Sequence, residues 1–239
     1  MVHEETPRAR RRAKTAARIV DTGLRLLTDG GFDALTMQRL ADELDYVPGA
    51  VYRYFGSKDE LLLAIQLRVV QRLEEDVARA SAELDARGGT ALAHLVLVTR
   101  TYATLGVRRP AEAALLSRWL GAPELLVDTD RARERAPELM ALFEHVPRRF
   151  VAAAAEGQLA AGDPVRRGLA MFGAVQGIVQ MRKLERLGLP GLSADALLEE
   201  LLVGLFVGWG AERSSVADAL DLTDGIIRGL GLDGPEGAS

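Results

Sequence analysis

The stretch Gly31-Phe32-Asp33-Ala34-Leu35-Thr36-Met37-Gln38-Arg39-Leu40-Ala41-Asp42-Glu43-Leu44-Asp45-Tyr46-Val47-Pro48-Gly49-Ala50-Val51-Tyr52-Arg53-Tyr54-Phe55-Gly56-Ser57-Lys58-Asp59-Glu60-Leu61 decides the fold. Thr36 is a good N-cap, because its hydroxyl can accept an otherwise orphaned backbone N–H. Met37, Leu40, Ala41 and Leu44 then repeat at helical spacing, so a short helix is expected over 36–44. Asp45-Tyr46-Val47 makes a tight turn, and Pro48 stands at a first helical position, where a missing N–H costs nothing. A second short helix runs to about Tyr54. Ser57-Lys58-Asp59-Glu60 reads as a capping box, serine covering the third N–H while glutamate reaches back. It opens a long helix over 58–86, which Gly88-Gly89 breaks.

Upstream, Ala16, Ile19, Val20, Gly23, Leu24 and Leu27 recur at three and four between Arg8 and Asp29. They mark one face of a helix that Gly30-Gly31 ends. Two short helices on a tight turn, with a helix on either side, are what a DNA-reading helix-turn-helix requires. A packed corner of a helical bundle has the same outline, so the outward residues matter. In 48–54 the expected exposed set is Pro48, Gly49, Ala50, Arg53 and Tyr54, while Val51 and Phe55 point to the core. Small leading residues permit close approach to base edges. Arg53 suits guanine, Tyr52 and Tyr54 suit phosphate oxygens, and Lys58 adds charge at a helix N-terminus. The net charge of −4 does not advertise nucleic acid, but its distribution does: Arg8, Arg10, Arg11, Arg12, Lys14 and Arg18 have no acidic residue among them.

The run from Gly31 to Leu61 resembles the tetracycline-repressor (TetR) family signature. That pattern is glycine-aromatic, a threonine cap, an alanine-containing support helix, then Tyr-x-x-Phe-x-x-Lys-x-x-Leu. The likeness runs from Arg18 to about Leu63. It implies that Thr36, Gln38, Tyr52, Tyr54 and Lys58 contact phosphates. It also implies that Pro48, Gly49, Ala50 and Arg53 face bases, and that a basic arm of Arg8, Arg10, Arg11, Arg12 and Lys14 lies along the backbone or in the minor groove. Two residues depart from the pattern. Asp45 stands where the family usually has a turn glycine, at some strain. Val47 stands where a capping serine or threonine is common.

Beyond the head, further helices are expected at about 90–106, 110–121, 129–161, 164–188, 194–213 and 215–230. The reading is therefore all-α: a DNA-binding domain over 1–57 and an effector-binding and dimerisation domain over 58–239. Gly173 and Gly177 lie four apart on one helix, and Gly204 and Gly208 on another. Interior glycine costs about 1 kcal/mol against alanine, so these small faces suggest close helix packing. The resemblance implies that they build a four-helix dimer bundle. It also implies an effector pocket, for which Tyr102, Trp119, Met140, Phe143, Phe150, Met171 and Phe172 are candidate linings, with His94, His145 and Gln176 as polar contacts.

Other classes have little to stand on. His3, His94 and His145 are scattered, no His-Glu-x-x-His or Gly-x-Ser-x-Gly occurs, and there is no cysteine. No catalytic residue, metal or cofactor is expected. Gly229-Leu230-Gly231-Leu232-Asp233-Gly234 fits a dinucleotide-binding glycine pattern but follows a helix, so it is a chance match. No apolar run reaches the ~18 residues of a membrane span, and the basic N-terminus has no apolar core behind it; a cytoplasmic protein is expected. The expected partners are double-stranded DNA carrying a palindromic operator, a small-molecule effector and a second copy of the chain. A helical carrier or scaffold, which would lack salt-dependent DNA binding, is the alternative, as is a regulator governed by a protein partner or acting as an activator.

Overall fold

The structure, a computed structural model, describes residues 6–121, 144–189, 191 and 193–234, with the backbone alone at 118–121. These residues form helices and turns, with no strand among them. They divide into two compact units, one reaching to Gln71 and one beginning at Arg72.

The first unit holds α1 (Pro7–Ala34), α2 (Met37–Glu43), α3 (Pro48–Tyr52) and the opening turns of α4 (Lys58–Ala86). Thr6 caps α1 by accepting the Ala9 N–H, with Pro7 at its first position. Gly31 breaks α1 at φ 73°, and a last short turn carries the chain to Ala34. Ile19, Leu26, Leu35, Leu40, Val51, Leu61 and Ile65 are fully enclosed and make the core of this unit. At Gly23 a Cβ would stand 2.9 Å from Ile65 Cδ1, so glycine there lets α1 close on α4. Arg25 reaches Glu43 at 2.5 Å and Arg68 reaches Asp21 at 3.2 Å, which ties α1 to α2 and α4 at the surface.

The second unit takes the rest of α4, then α5 (Ala91–Arg108), α6 (Pro110–Gly121) as far as Ser117, α7 (His145–Ala155), α8 (Pro164–Met181), α9 (Ala194–Gly208) and α10 (Arg213–Gly229). α5 is its centre, packed against α7, α8 and α10. Its side chains are buried around almost the whole helix, including Leu92, Leu95, Val96 and Leu97. Thr90, Asp163 and Ser193 cap α5, α8 and α9, each accepting a first-turn N–H. Charge is buried here in pairs: Asp76 of α4 accepts from Arg79 and Arg108, both at 2.5 Å, and from Arg109. Glu112 of α6 takes Arg72 and Arg109. Buried charge is tolerated only when paired in this way.

Three expected helix ends are corrected. The helix assigned to 129–161 ends at Ala155, because Gly157 adopts the left-handed conformation at φ 71° and turns the chain. That turn brings the Glu156 carboxylate and the Gln158 amide oxygen onto the first N–H groups of α5, at Ala91 and Leu92. The helix assigned to 164–188 ends at Met181, and 182–187 tighten into a 3₁₀ turn. The helix assigned to 194–213 ends at Gly208: Gly210 has φ 97°, and Ala160 donates its N–H to Trp209 O at 2.8 Å.

Candidate nucleic-acid interface

The turn between α2 and α3 follows from the end of α2. Tyr46 N–H reaches back to Ala41 O at 2.9 Å and Asp45 N–H to Asp42 O at 3.2 Å, while Asp45 holds φ 57°. This is the double closure of a helix C-terminus that glycine usually provides. Among the described residues Asp45 is the one non-glycine with positive φ. It sets the direction in which α3 leaves. Val47 takes the N-cap position of α3 with no side-chain hydrogen bond, and Pro48 opens the helix.

The outward surface of α3 differs in part from expectation. Gly49 and Arg53 are exposed, Tyr52 is 51% exposed, and Pro48 and Ala50 are half-buried. Val51 is fully buried, as expected. Tyr54, expected outward, is half-buried, and Phe55, expected in the core, is also half-buried. The reason for the first correction is Arg12. Its guanidinium covers the Tyr54 ring at 5.7 Å from the centroid, and its Nη2 donates to Arg53 O at 3.4 Å. Val47, which the sequence reading treated only as a missing cap, is 72% exposed. An apolar residue at an N-cap, outside the helical period, was the available signal for it.

Around this helix the predicted phosphate contacts stand outward. Thr36 is exposed; its oxygen accepts the Arg39 N–H at 3.1 Å, which leaves the hydroxyl proton free to donate. Gln38 is exposed, with its amide turned to Asp42 at 2.9 Å. Lys58 is exposed in the first turn of α4, where Ser57 accepts the Glu60 N–H at 3.2 Å. The Glu60 carboxylate takes the Gly56 N–H at 2.7 Å, one residue before the cap. Arg8, Arg10, Arg11, Arg12 and Lys14 are exposed in the first turns of α1, where they form a helical basic face.

The described residues among those expected to line an effector pocket make the following contacts. Tyr102 is stacked on Phe172, with centroids 5.3 Å apart, and donates its hydroxyl to Gln176, whose Nε2 reaches Ser117 at 3.2 Å. Burial pushes the Tyr102 hydroxyl well above its ordinary pKa, so it stays a donor. Met171 is buried nearby on α8. Phe150 instead meets Trp209, which in turn meets Phe206. His94, 1% exposed, is held by Asp85 at 2.8 Å beside the α4–α5 turn. His145 is half-buried at the start of α7. Met140 and Phe143 lie outside the described residues, as does the side chain of Trp119.

Gly173, Gly177, Gly204 and Gly208 are all exposed, and a Cβ added at any of them would meet nothing within 4 Å. Val165 and Leu169 stand on α8 at 53% and 59% exposure. Among the described residues no helix is long and apolar enough to cross a membrane, and no cluster of His, Asp and Glu is placed to hold a metal.

Residues 19–65 match the family described as bacterial regulatory proteins, tetR family. Over 105 residues the chain is 33% identical to the HTH-type transcriptional regulator Rv1816 of Mycobacterium tuberculosis, covering 44% of each chain. Over 64 residues it is 36% identical to the HTH-type transcriptional repressor KstR of Mycolicibacterium smegmatis, covering 27% of this chain and 31% of that one. The chain thus matches less than half the length of these curated relatives. The solved structure of RolR in complex with resorcinol shares the fold, with a TM-score of 0.57 and 16% identity over 90% of this chain and 95% of that one.

Proposed function

We infer, from a chain whose residues 19–65 match the tetR family of bacterial regulatory proteins, a homodimeric repressor that a small ligand releases from a palindromic operator. The observation that carries the DNA-binding part is the outward face of α3. Gly49, Tyr52 and Arg53 stand clear, with Val47 and the basic turns of α1 beside them. Small residues let the helix seat deeply, Arg53 offers a bidentate donor to guanine, and Val47 offers an apolar contact for a thymine methyl. Thr36, Tyr52, Lys58 and the arginines of α1 fix the register through phosphates.

One such head covers one half-site, and a palindrome calls for a two-fold partner. Exposed glycines beside exposed Val165 and Leu169 on α8, and matching glycines on α9, favour a four-helix dimer face. For the effector, Tyr102, Phe172 and Gln176 supply an aromatic surface with one hydrogen-bonding point, which suits an apolar or amphipathic molecule. The resorcinol held by RolR is of that kind.

The test is sedimentation of the purified chain with a symmetric DNA fragment recovered by selection. Two chains per fragment, dispersed by an apolar or amphipathic ligand from a screened panel, support the proposal. One chain per fragment, or a complex indifferent to the whole panel, contradicts it.

A further inference from the structure

Tyr102 of α5, Gln176 of α8 and Ser117 of α6 form a relay of hydrogen bonds within the second unit. Tyr102 and Gln176 are each 7% exposed, while Ser117 is half-buried. A buried hydroxyl must place its proton, and the acceptor that Tyr102 finds is Gln176 Oε1. Burial holds the tyrosine in its neutral, donating form. With Oε1 taken, the amide has one orientation: its Nε2 faces Ser117 and donates to Oγ at 3.2 Å. Polarity therefore runs one way, from tyrosine through glutamine to serine.

The accessible end of this relay is an unspent donor. Ser117 accepts from Gln176, and among the described residues its own O–H donates to none. An unspent donor demands a partner more than an unspent lone pair does. Phe172, half-buried and stacked on Tyr102 with centroids 5.3 Å apart, supplies apolar surface beside it. Charge is committed elsewhere among the described residues of these helices. On α5, His94 is held by Asp85, Arg100 by Asp224 and Arg108 by Asp76. Glu112 of α6 holds Arg109, and on α8 Arg166 meets Asp163 while Arg167 donates to Ala160 O.

The ligand that answers this arrangement carries an oxygen acceptor and no net charge. An ammonium would meet a donor where it needs an acceptor. A carboxylate would give up its water for a neutral hydroxyl, with no cation to balance it.

We propose that the ligand held here is a neutral, largely apolar molecule whose carbonyl or ether oxygen accepts the Ser117 O–H, with its apolar body on Phe172. The assignment rests on the reading of this region as the effector site and adds to it the chemical class of the effector and the residue that selects it.

The experiment is calorimetric titration of the full chain with two matched sets of probes, one on a phenyl body and one on a naphthyl body. Acetophenone and 2-acetylnaphthalene carry the neutral acceptor. Isopropylbenzene and 2-isopropylnaphthalene keep the shape and lose the oxygen. Benzoate and 2-naphthoate are the anions, and 1-phenylethylamine and 1-(2-naphthyl)ethylamine the cations. In at least one set the ketone is expected to bind about three- to tenfold tighter than its isopropyl counterpart, the worth of one hydrogen bond, and tighter than either ion. Ser117→Ala is expected to abolish that advantage while the isopropyl compound binds as before, which also shows the variant to be folded. The assignment is overturned if neither ketone binds saturably, if the isopropyl compound or an ion binds as tightly as the ketone in both sets, or if the advantage survives in Ser117→Ala. Release of the chain from its selected DNA fragment is read separately, by fluorescence anisotropy. A ketone that binds through Ser117 without releasing DNA supports the ligand class and contradicts the effector reading; release by compounds that ignore Ser117 does the opposite.

Discussion

Arg12, near the start of α1, lies with its guanidinium over the ring of Tyr54, 5.7 Å from the centroid, and donates to the carbonyl of Arg53 at 3.4 Å. This contact pins the basic end of α1 to the end of the reading helix. Among the described residues Arg12 therefore differs from Arg8, Arg10 and Arg11, which make no comparable contact to Arg53 or Tyr54. An exposed cation–π contact contributes about 0.5–1 kcal/mol. Arg12→Ala is expected to weaken DNA binding more than Arg8→Ala, because it loses both a phosphate partner and the placement of Tyr54. Each substitution lowers the slope of log affinity against log salt by about one. Equal losses from the two, measured by fluorescence anisotropy, would show that the contact with Tyr54 does nothing for binding.

Asp45 bears the strain of the turn. A left-handed conformation costs an ordinary L-residue about 1–2 kcal/mol, less for aspartate, and glycine nothing in sterics. Asp45→Gly is expected to raise stability by up to about 1 kcal/mol with the fold intact, and Asp45→Val to lower it. Val47→Ser adds the missing cap and raises stability by about 1 kcal/mol, while removing the apolar contact and changing base preference in a binding selection. Urea unfolding checks both positions. A destabilised Asp45→Gly would mean that the aspartate side chain, and not its backbone, holds the turn.

The exposed glycines give a test of assembly that spares the fold. Since a Cβ added at Gly173 or Gly204 meets nothing within 4 Å, Gly173→Leu and Gly204→Leu are expected to fold with unchanged helicity. If those faces pack closely against a second copy, both variants sediment as monomers and lose operator affinity. Variants that remain dimeric would move the interface elsewhere.

His94 predicts a pH dependence. Burial lowers its pKa below the ordinary 6.5, against the opposing hydrogen bond from Asp85; Arg149 lowers it further and Glu156 raises it. The unfolded chain then binds the proton more readily than the folded one. The stability that this histidine contributes is complete above about 6.5 and declines as the pH falls below that value toward the folded pKa. His94→Gln keeps a donor toward Asp85 and is expected to flatten the loss of Tm between about pH 7 and pH 5.5. An acid limb of the same steepness in the variant would assign it to other groups.

Much of the head was legible in the sequence because its signals are local. The Thr36 oxygen does accept the Arg39 N–H, Pro48 does open α3, and Ser57 does cap α4. Each acts within a few residues of itself. The helix ends at Ala155 and Gly208 were not legible, since Gly157 and Gly210 stand inside stretches whose apolar period continues past them. The reason to stop there is distant: Gln158 meets Leu92, and Ala160 meets Trp209. The same limit explains the aromatic residues. Nothing in spacing pairs Phe150 with Trp209 or Tyr102 with Gln176, so these contacts could not be drawn from the aromatic residues alone. The cover of Arg12 on Tyr54 was hidden for the same reason.

The claim that α3 reads DNA is tested most directly by selecting bound fragments with the purified chain, then titrating salt on the enriched sequence. The account predicts a two-fold palindrome with half-sites about one helical turn or a multiple apart. It also predicts an affinity that falls linearly in log salt, and that is lost in Tyr52→Ala and Lys58→Ala. No enrichment at low salt, or an enriched site that both variants bind as well as the unsubstituted chain, would contradict it.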